Sequence, residues 1–303
     1  MTATFADTLI ERIKACGSPC IAGLDPNLDL VPPAFRAEFA GPGEDEPTTV
    51  LAQYNRLVID AICDLVPAVK LQSAYYEVFG VAGATLLADT IGYARERGLL
   101  VILDAKRGDI GSTSEAYAKA YLAREPPRPH SVDCMTLNPY LGQDSLEPFV
   151  AACAEHGRGI FICVLNSNPG AIALQTREFE GGAPLYQAVA EIVRQLGDPL
   201  VGDTGYSPIG AVVGATTGEG AKHVRSLLPR SLFLVPGIGA QGGDLATIAA
   251  CFNPDGLGAI VSGSRSIMYP PTRDGGGGDQ RTLVREAMVS AIESVRSIIP
   301  PMA

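Results

Sequence analysis

The sequence has no excess of basic residues that would attract a polyanion. Its 303 residues include 23 Lys and Arg against 33 Asp and Glu, for a formal net charge of −10. A chain of this charge has no overall field that would draw in nucleic acid or an anionic membrane surface. We therefore expect no nucleic-acid partner, and any bound phosphate must be held by local groups.

Membrane segments and paired cysteines are also missing. No window is long and apolar enough to span a bilayer, and the amphipathic first 17 residues lack the apolar centre of a secretory signal peptide. None of the seven cysteines forms a Cys-x-x-Cys pair, and most lie in apolar runs. Buried free thiols in a reducing compartment are the simplest interpretation. We expect a cytoplasmic protein with no membrane partner.

Two common catalytic patterns are lacking as well. The three histidines, His130, His156 and His223, show no metal-ligand spacing. No serine lies in the strand–turn–helix setting of a nucleophile elbow. The sequence therefore predicts neither a histidine-based metal centre nor a serine hydrolase.

What the sequence does have is a regular alternation of apolar runs and helical patterns. A first helix is expected over 5–15, and a long loop rich in Gly, Asn and Pro over 166–183. This alternation predicts an α/β fold, a (β/α)8 TIM barrel forming one domain over 1–303. An open doubly wound sheet is the alternative that the same pattern permits. The eight strands are predicted at 20–24, 68–72, 100–103, 132–137, 159–165, 209–214, 232–236 and 258–263.

The third strand and the residues after it, 100–113, form the most informative stretch. An apolar run over 100–103 is followed at once by Asp104, Lys106 and Asp109. Side chains alternate along an extended chain, so Asp104 and Lys106 should point the same way. Charged groups at the end of a buried strand lose hydration, which costs free energy. A functional role for these charges would explain why they are there. A structural ion pair is the alternative explanation.

In a TIM barrel the functional site lies where the strands end at the carboxyl-terminal face. This rule selects residues from every strand except the sixth. They are Asp25, Lys70, Asp104, Lys106, Asp109, Asn138, Asn166, the 236–244 loop and residues 263–265.

The loops after strands 7 and 8 have the composition of a phosphate site. PGIGAQGGD, from Pro236, supplies backbone N–H groups with little steric cover. SGSRS, from Ser262, adds a helix N-terminus and the guanidinium of Arg265. Phosphate binding at these two loops is frequent in such barrels. The alternatives are a surface ion pair for Arg265 and a structural pair for Asp25 and Lys70.

Together these motifs resemble orotidine 5′-phosphate decarboxylase, and the longer chain resembles its second (type 2) subfamily. The resemblance implies a lyase that removes CO2 from orotidine 5′-phosphate to give uridine 5′-phosphate, the last step of de novo pyrimidine nucleotide biosynthesis. It also implies that no metal or cofactor takes part. The motifs that carry it are GLDPN with Asp25, VKLQ with Lys70, DAKRGDIGST, NPYLGQDSLEPF, NSNPGA, PGIGAQGGD and SGSRSI.

The resemblance also implies a role for each catalytic residue. Lys106 would stabilise negative charge at carbon 6 of the pyrimidine and then deliver the proton. Asp104 would keep Lys106 charged and oriented. In the family the acid that matches Asp109 reaches the partner's site across a homodimer interface, together with the residues that match Ile110 and Thr113.

The remaining site residues would bind the substrate. Asp25 and Lys70 would hold ribose hydroxyls, and Ser145 would contact the pyrimidine. For Ser145 and Asn138, capping of the following helix is an equally good explanation. Gln241 and Arg265 would bind the phosphate. The rest of the expected set at the strand ends is Asn138, Pro236, Gly263 and Ser264.

Two other functions fit parts of the pattern. A metal-dependent decarboxylase or aldolase acting on a sugar phosphate would use the acids as Mg²⁺ ligands. A non-catalytic phosphate binder would need the glycine loops but not the set of Asp104, Lys106 and Asp109.

Overall fold

Eight parallel strands, paired in sequence order, close into a barrel. This computed structural model describes residues 3–39, 47–124, 128–237, 244–271 and 279–302. Closure is made by the first and last strands, where Cys20 pairs with Val261. The predicted barrel is confirmed, and the open sheet is ruled out. The strands are β1 (Cys20–Leu24), β2 (Ala68–Gln72), β3 (Leu100–Arg107), β4 (Cys134–Leu137), β5 (Gly159–Leu165), β6 (Ser207–Val213), β7 (Ser231–Pro236) and β8 (Ala259–Gly263).

Helices surround the barrel and connect its strands. Short 3₁₀ turns lie at Leu28–Leu30, Gln143–Ser145 and Asp198–Leu200. No helix in the described ranges is long and apolar enough to cross a membrane. The α-helices are α1 (Phe5–Cys16), α2 (Pro33–Phe39), α3 (Pro47–Ile62), α4 (Ala74–Glu77), α5 (Gly80–Glu96), α6 (Gly111–Tyr121), α7 (Glu147–His156), α8 (Pro169–Gln175), α9 (Leu185–Gly197), α10 (Glu219–Leu227), α11 (Leu245–Ala250), α12 (Arg265–Met268) and α13 (Gln280–Arg296).

The first helix packs against the amino-terminal ends of the strands. It starts with a capping box between Thr4 and Asp7 and stops at Gly17, whose φ of 65° suits a residue without a side chain. The ring of Phe5 meets Phe161 of β5 edge to face, with centroids 6.3 Å apart. The opposite, carboxyl-terminal mouth is left for the loops.

Alternation along the strands separates two apolar cores. One core fills the barrel and includes Ala68, Leu100 and Ile102. The other lies between strands and helices and includes Val69 and Val101. The inward parity of β2 and β3 continues to Lys70 and Asp104, so both side chains enter the barrel near its carboxyl-terminal mouth.

The expected loop over 166–183 is partly wrong, because it contains α8. Pro169 occupies the first turn of this helix and Asn168 precedes it in an extended conformation, both favourable at a helix start. The backbone N–H of Asn166 donates to Oε1 of Gln175 at 2.7 Å, which ties the end of α8 to the end of β5. This helix is short, so its apolar residues showed little helical periodicity in the sequence.

Candidate active site

The carboxylate of Asp104 is the centre of a charged network at the barrel mouth. Its Oδ1 lies 2.6 Å from Nζ of Lys106, and its Oδ2 lies 3.3 Å from Nζ of Lys70. Lys70 Nζ also lies 3.7 Å from Oδ1 of Asp25, the residue directly after β1. Three neighbouring strands therefore supply acids and bases in alternation, Asp25, Lys70, Asp104 and Lys106.

Burial differs sharply between the two lysines. The side chain of Lys70 is 7% exposed, whereas that of Lys106 is 42% exposed. An ammonium as buried as Lys70 must be paired, and both of its partners are carboxylates. Lys106 is held on one side only, so its ammonium also faces the open mouth.

The carboxyl group of Asp104 is held in its ionised form. Burial alone raises the pKa of Asp104, but the charges of Lys70 and Lys106 outweigh burial. Hydrogen bonds from Lys106 and from the hydroxyl of Thr136 act in the same direction. The net effect lowers the pKa of Asp104 below its ordinary value, so the group is a carboxylate at neutral pH.

The end of β3 is not a regular strand. Leu103 pairs with Met135 and Arg107 pairs with Leu137, so four steps along β3 match only two along β4. Within this bulge Lys106 has a φ of 47°, and no other non-glycine residue of the described chain has a positive φ. The irregularity adds an even number of residues to β3, and Lys106 still lies on the side of Asp104 that alternation predicts.

Two adjoining cavities open at this network. One, of about 300 Å³, extends toward β1 and β8, and the other, of about 160 Å³, extends toward β5 and β6. Lys70, Asp104 and Pro236 line both. The first is also lined by Asp25, Asn27, Leu30, Gln72, Tyr75, Gly237, Ser262, Ser264, Arg265, Ser266 and Tyr269. The second is also lined by Lys106, Asn166, Ser167, Asn168, Val212, Gly214 and Leu234.

The larger cavity contains the described part of the expected phosphate site. Ser264 and Arg265 begin α12 directly after Gly263, the last residue of β8. A Cβ on Gly23 of β1 would lie 1.9 Å from Oγ of Ser264, so only glycine permits this close approach. Gln241 and most of the preceding glycine loop, 238–243, lie outside the described residues.

Six of the expected residues within the described ranges do not line either cavity, and one of them is Gly263 at the end of β8. Asp109 accepts the N–H of Ile110 at 2.8 Å, in the turn before α6. Asn138 likewise accepts the N–H of Tyr140 at 3.1 Å. Ser145 is buried and donates to the carbonyl of Gly142 at 2.6 Å. These residues, with Ile110 and Thr113, are not brought to the Asp104 network within one subunit.

The cavities are also lined by residues that were not selected from the sequence, among them Gln72, Ser262, Ser167 and Asn168. Within the described ranges, the buried oxygens of Gln72, Ser262 and Asn166 have no hydrogen-bond partner, nor does Oδ1 of Asp25. Burial of such groups destabilises the fold unless a ligand or a water molecule forms a hydrogen bond with them. Gln72 and Ser262 could have been found from strand parity, since each lies two residues after an inward position. Ser167 and Asn168 carry no such signal.

Three residues of this network, Lys70, Asp104 and Lys106, fall within a family match. A family model described as the orotidine 5′-phosphate decarboxylase / HUMPS family matches residues 51–264. The chain belongs to this family. The resemblance predicted from the motifs is thereby confirmed.

Individual relatives of known name cover nearly the whole chain. An orotidine 5′-phosphate decarboxylase of Rhodopirellula baltica is 44% identical over 89% of this chain and 90% of that protein. One of Clostridium perfringens is 36% identical over 97% of this chain and 99% of that protein. The solved structure of Leishmania donovani OMP decarboxylase is 29% identical, with a TM-score of 0.73, and the match covers 97% of this chain and 98% of that one.

Proposed function

We propose that this chain converts orotidine 5′-phosphate to uridine 5′-phosphate and CO2, the final step of de novo pyrimidine nucleotide biosynthesis. The observation that carries the proposal is the charged network, in which an exposed ammonium at a barrel mouth is fixed by a buried carboxylate. Relatives named orotidine 5′-phosphate decarboxylase, which are 36–44% identical over most of the chain, support it.

The reaction needs a cation beside carbon 6 of the pyrimidine. When the bond to the carboxyl group breaks, CO2 leaves and the electron pair stays on carbon 6. Lys106 stabilises that charge, and one proton of its ammonium then moves to carbon 6. The product is uridine 5′-phosphate, and the neutral amine of Lys106 regains a proton from water. Asp104 keeps Lys106 charged until the transfer.

The larger cavity accommodates the rest of the nucleotide in this proposal. Asp25 and Lys70 bind the ribose hydroxyls, which can donate to Oδ1 of Asp25, an oxygen that lies near Lys70 but accepts no hydrogen bond within the described chain. Ser264 and Arg265 bind the phosphate, with Gln241 contributed by the glycine loop. Contacts this far from carbon 6 lower the barrier only if their binding energy is used in the transition state.

The proposal includes a homodimer with shared sites. Asp109, Ile110 and Thr113 follow β3 at the barrel mouth but do not line their own cavity. Ile110 is 59% exposed, and apolar residues after the two adjacent strands are more exposed still, with Val78 at 73% and Tyr140 at 79%. A second copy of the chain would bury this surface, and a two-fold axis would bring Asp109 to the partner's site.

A metal-dependent reaction on a sugar phosphate is less compatible with the network. Two ammonium groups lie against Asp104, and their charge opposes a divalent cation at that carboxylate. Among the described residues, no three or more His, Cys, Asp or Glu side chains are grouped to hold a metal ion.

An absorbance assay with purified protein tests the function. We expect loss of orotidine 5′-phosphate at the same rate with and without a strong chelator. No loss at all would contradict the proposed activity. Loss that stops with the chelator and returns with Mg²⁺ would favour the metal-dependent alternative.

A further inference from the structure

The side chain of Thr136 contacts both the backbone of Lys106 and the carboxylate of Asp104. It lies on β4, fully buried inside the barrel mouth. Its Oγ1 accepts the backbone N–H of Lys106 at 2.9 Å and donates to Oδ1 of Asp104 at 2.9 Å. The directions are unambiguous, because a backbone N–H only donates and an ionised carboxylate only accepts.

This hydroxyl lies beside the point where the β3–β4 ladder is interrupted. Regular pairing stops after Leu103 and resumes at Arg107. Lys106 lies between them in a left-handed conformation that side chains rarely adopt. Such a conformation persists only where its surroundings determine it. Thr136 supplies the hydrogen bond to Lys106 across this gap.

Packing alone does not fix the Lys106 side chain. It is 42% exposed, and among the described salt bridges it takes part in one, with Asp104. The position of its ammonium therefore depends on its own backbone and on the orientation of Asp104. Thr136 contacts both.

We propose that Thr136 is a positioning residue, whose hydroxyl fixes the bulged backbone of Lys106 and the Asp104 carboxylate so that the ammonium is in place before substrate binds. This inference rests on the proposed function for the role of Lys106 as proton donor. Misplacement of a catalytic group by about 1 Å can lower turnover about 100-fold, so the contribution of such a residue is measurable.

Two substitutions separate the hydroxyl from the shape of the side chain. Thr136→Val keeps the shape and removes both hydrogen bonds, whereas Thr136→Ser keeps the hydroxyl. We expect Thr136→Val to lower kcat by about 10- to 100-fold, with the Kd for uridine 5′-phosphate changed less than about threefold. Thr136→Ser should stay within about threefold of wild type. Thr90→Val is the matched control, since Thr90 is buried in α5 and its hydroxyl donates to the carbonyl of Leu86.

The pH profile gives a second readout. The Thr136 hydrogen bond favours the ionised form of Asp104, so its loss raises the pKa of that carboxyl and shifts the acid limb of kcat to higher pH in Thr136→Val. The charged groups facing Asp104 are Lys106 on its own strand and Lys70 on β2, which also contacts Asp25. Cys163 on β5 stays neutral, because burial raises its pKa to about 11.

Hydrogen–deuterium exchange tests the positioning without any substrate. The amide of Lys106 should exchange faster in Thr136→Val than in wild type, Thr136→Ser or Thr90→Val. If Thr136→Val does not fold, as judged by circular dichroism, Thr136→Ala serves in its place. If the wild-type chain is inactive, the proposed function fails, and the exchange rates still decide whether Thr136 holds Lys106.

Three results would overturn the inference. The first is a wild-type kcat with an unchanged acid limb of its pH profile in Thr136→Val. The second is an equal loss of kcat in Thr136→Val and Thr136→Ser. The third is an unchanged rate of hydrogen–deuterium exchange at the Lys106 amide in Thr136→Val. The second would assign the effect to packing of the methyl group instead of to the hydroxyl.

Discussion

Lys70 holds Asp104 from the side opposite to Lys106, with its Nζ 3.3 Å from Oδ2 of that carboxylate. One buried acid is thereby shared between a buried ammonium and an exposed one. Because Lys70 also contacts Asp25, the expected ribose subsite and the expected proton donor are parts of one electrostatic network. A change at Lys70, which contacts both acids, should therefore alter both binding and chemistry.

Replacement of the proton donor should separate binding from chemistry. In Lys106→Ala we expect turnover of orotidine 5′-phosphate to be nearly abolished, because within the described ranges the other ammonium paired with Asp104 is that of buried Lys70. Uridine 5′-phosphate should still bind, as measured by calorimetry. Lys222→Ala is the control, since Lys222 pairs with Glu219 on the exposed face of α10. Near-normal turnover in Lys106→Ala would contradict the assignment.

The backbone at Lys106 predicts an unusual order of stability. A side chain at positive φ is strained relative to glycine. The free energy of unfolding should therefore be about 1 kcal/mol higher for Lys106→Gly than for Lys106→Ala. Urea denaturation of both variants measures this. At Glu115, an exposed position inside α6, the same two substitutions should show the reverse order of stability by about 1 kcal/mol. An Ala variant more stable than the Gly variant at position 106 would argue against the left-handed conformation.

Asp104 should make stability depend on pH in acid. Its pKa in the folded chain is lowered, so the carboxylate stabilises the fold above the unfolded-state pKa of about 4, and that contribution is lost as the pH falls through the folded-state pKa. Asp104→Asn leaves Lys70 incompletely paired and should cost about 3 kcal/mol at pH 7, measured by urea denaturation.

The difference between wild type and Asp104→Asn should narrow below a pH of about 4, as wild-type Asp104 takes up its proton. Asp64→Asn provides the control, because Asp64 is 59% exposed in its ion pair with Arg285. A surface pair of this kind should contribute at most about 1 kcal/mol. A constant difference from pH 7 to acid would show that Asp104 is not stabilised as an anion.

Arg265 should matter for the phosphate and little else. In Arg265→Ala we expect kcat/KM for orotidine 5′-phosphate to fall about 10- to 100-fold, as for loss of one or two charge-assisted hydrogen bonds. Phosphate-free orotidine should be turned over at an unchanged, slow rate. Arg230→Ala, at an exposed pair with Asp198, is the control. Equal losses for both substrates would show that Arg265 acts elsewhere than on the phosphate.

Strand parity explains which parts of the site could be predicted from the sequence. Lys70 and Asp104 continue the inward positions of β2 and β3, so their meeting follows from alternation alone. Alternation also predicted that Lys106 lies on the side of Asp104, and the two side chains do form an ion pair. The bulge between Leu103 and Arg107 and the hydrogen bond from Lys106 to Thr136 of the next strand were not predicted, because they depend on contacts between strands. Ser145 was expected at the pyrimidine from the family resemblance, but its hydroxyl donates within its own turn.

Ser167 shows the converse failure. It lines the cavity beside Lys106 although it belongs to a segment expected to be a loop. Its place is set by contact with Gly214 of the neighbouring strand end, where a Cβ would come within 2.8 Å of the Ser167 backbone nitrogen. Contacts between distant segments of this kind carry no periodic signal, so residues of the loops are the least predictable part of the site.

The shared-site homodimer makes the most specific prediction. Asp109 lies beyond the bulge, where Gly108 and the start of α6 direct the chain away from its own cavity. In a two-fold dimer of Lys106→Ala with Asp109→Ala subunits, one site would carry both substitutions and the other neither. Each variant alone should be inactive, and mixing should restore activity approaching one quarter of wild type, since about half the dimers are mixed and each has one intact site. Exchange between differently tagged subunits must be verified by co-purification. If exchange occurs and no activity returns, Asp109 acts in its own subunit and the sites are not shared.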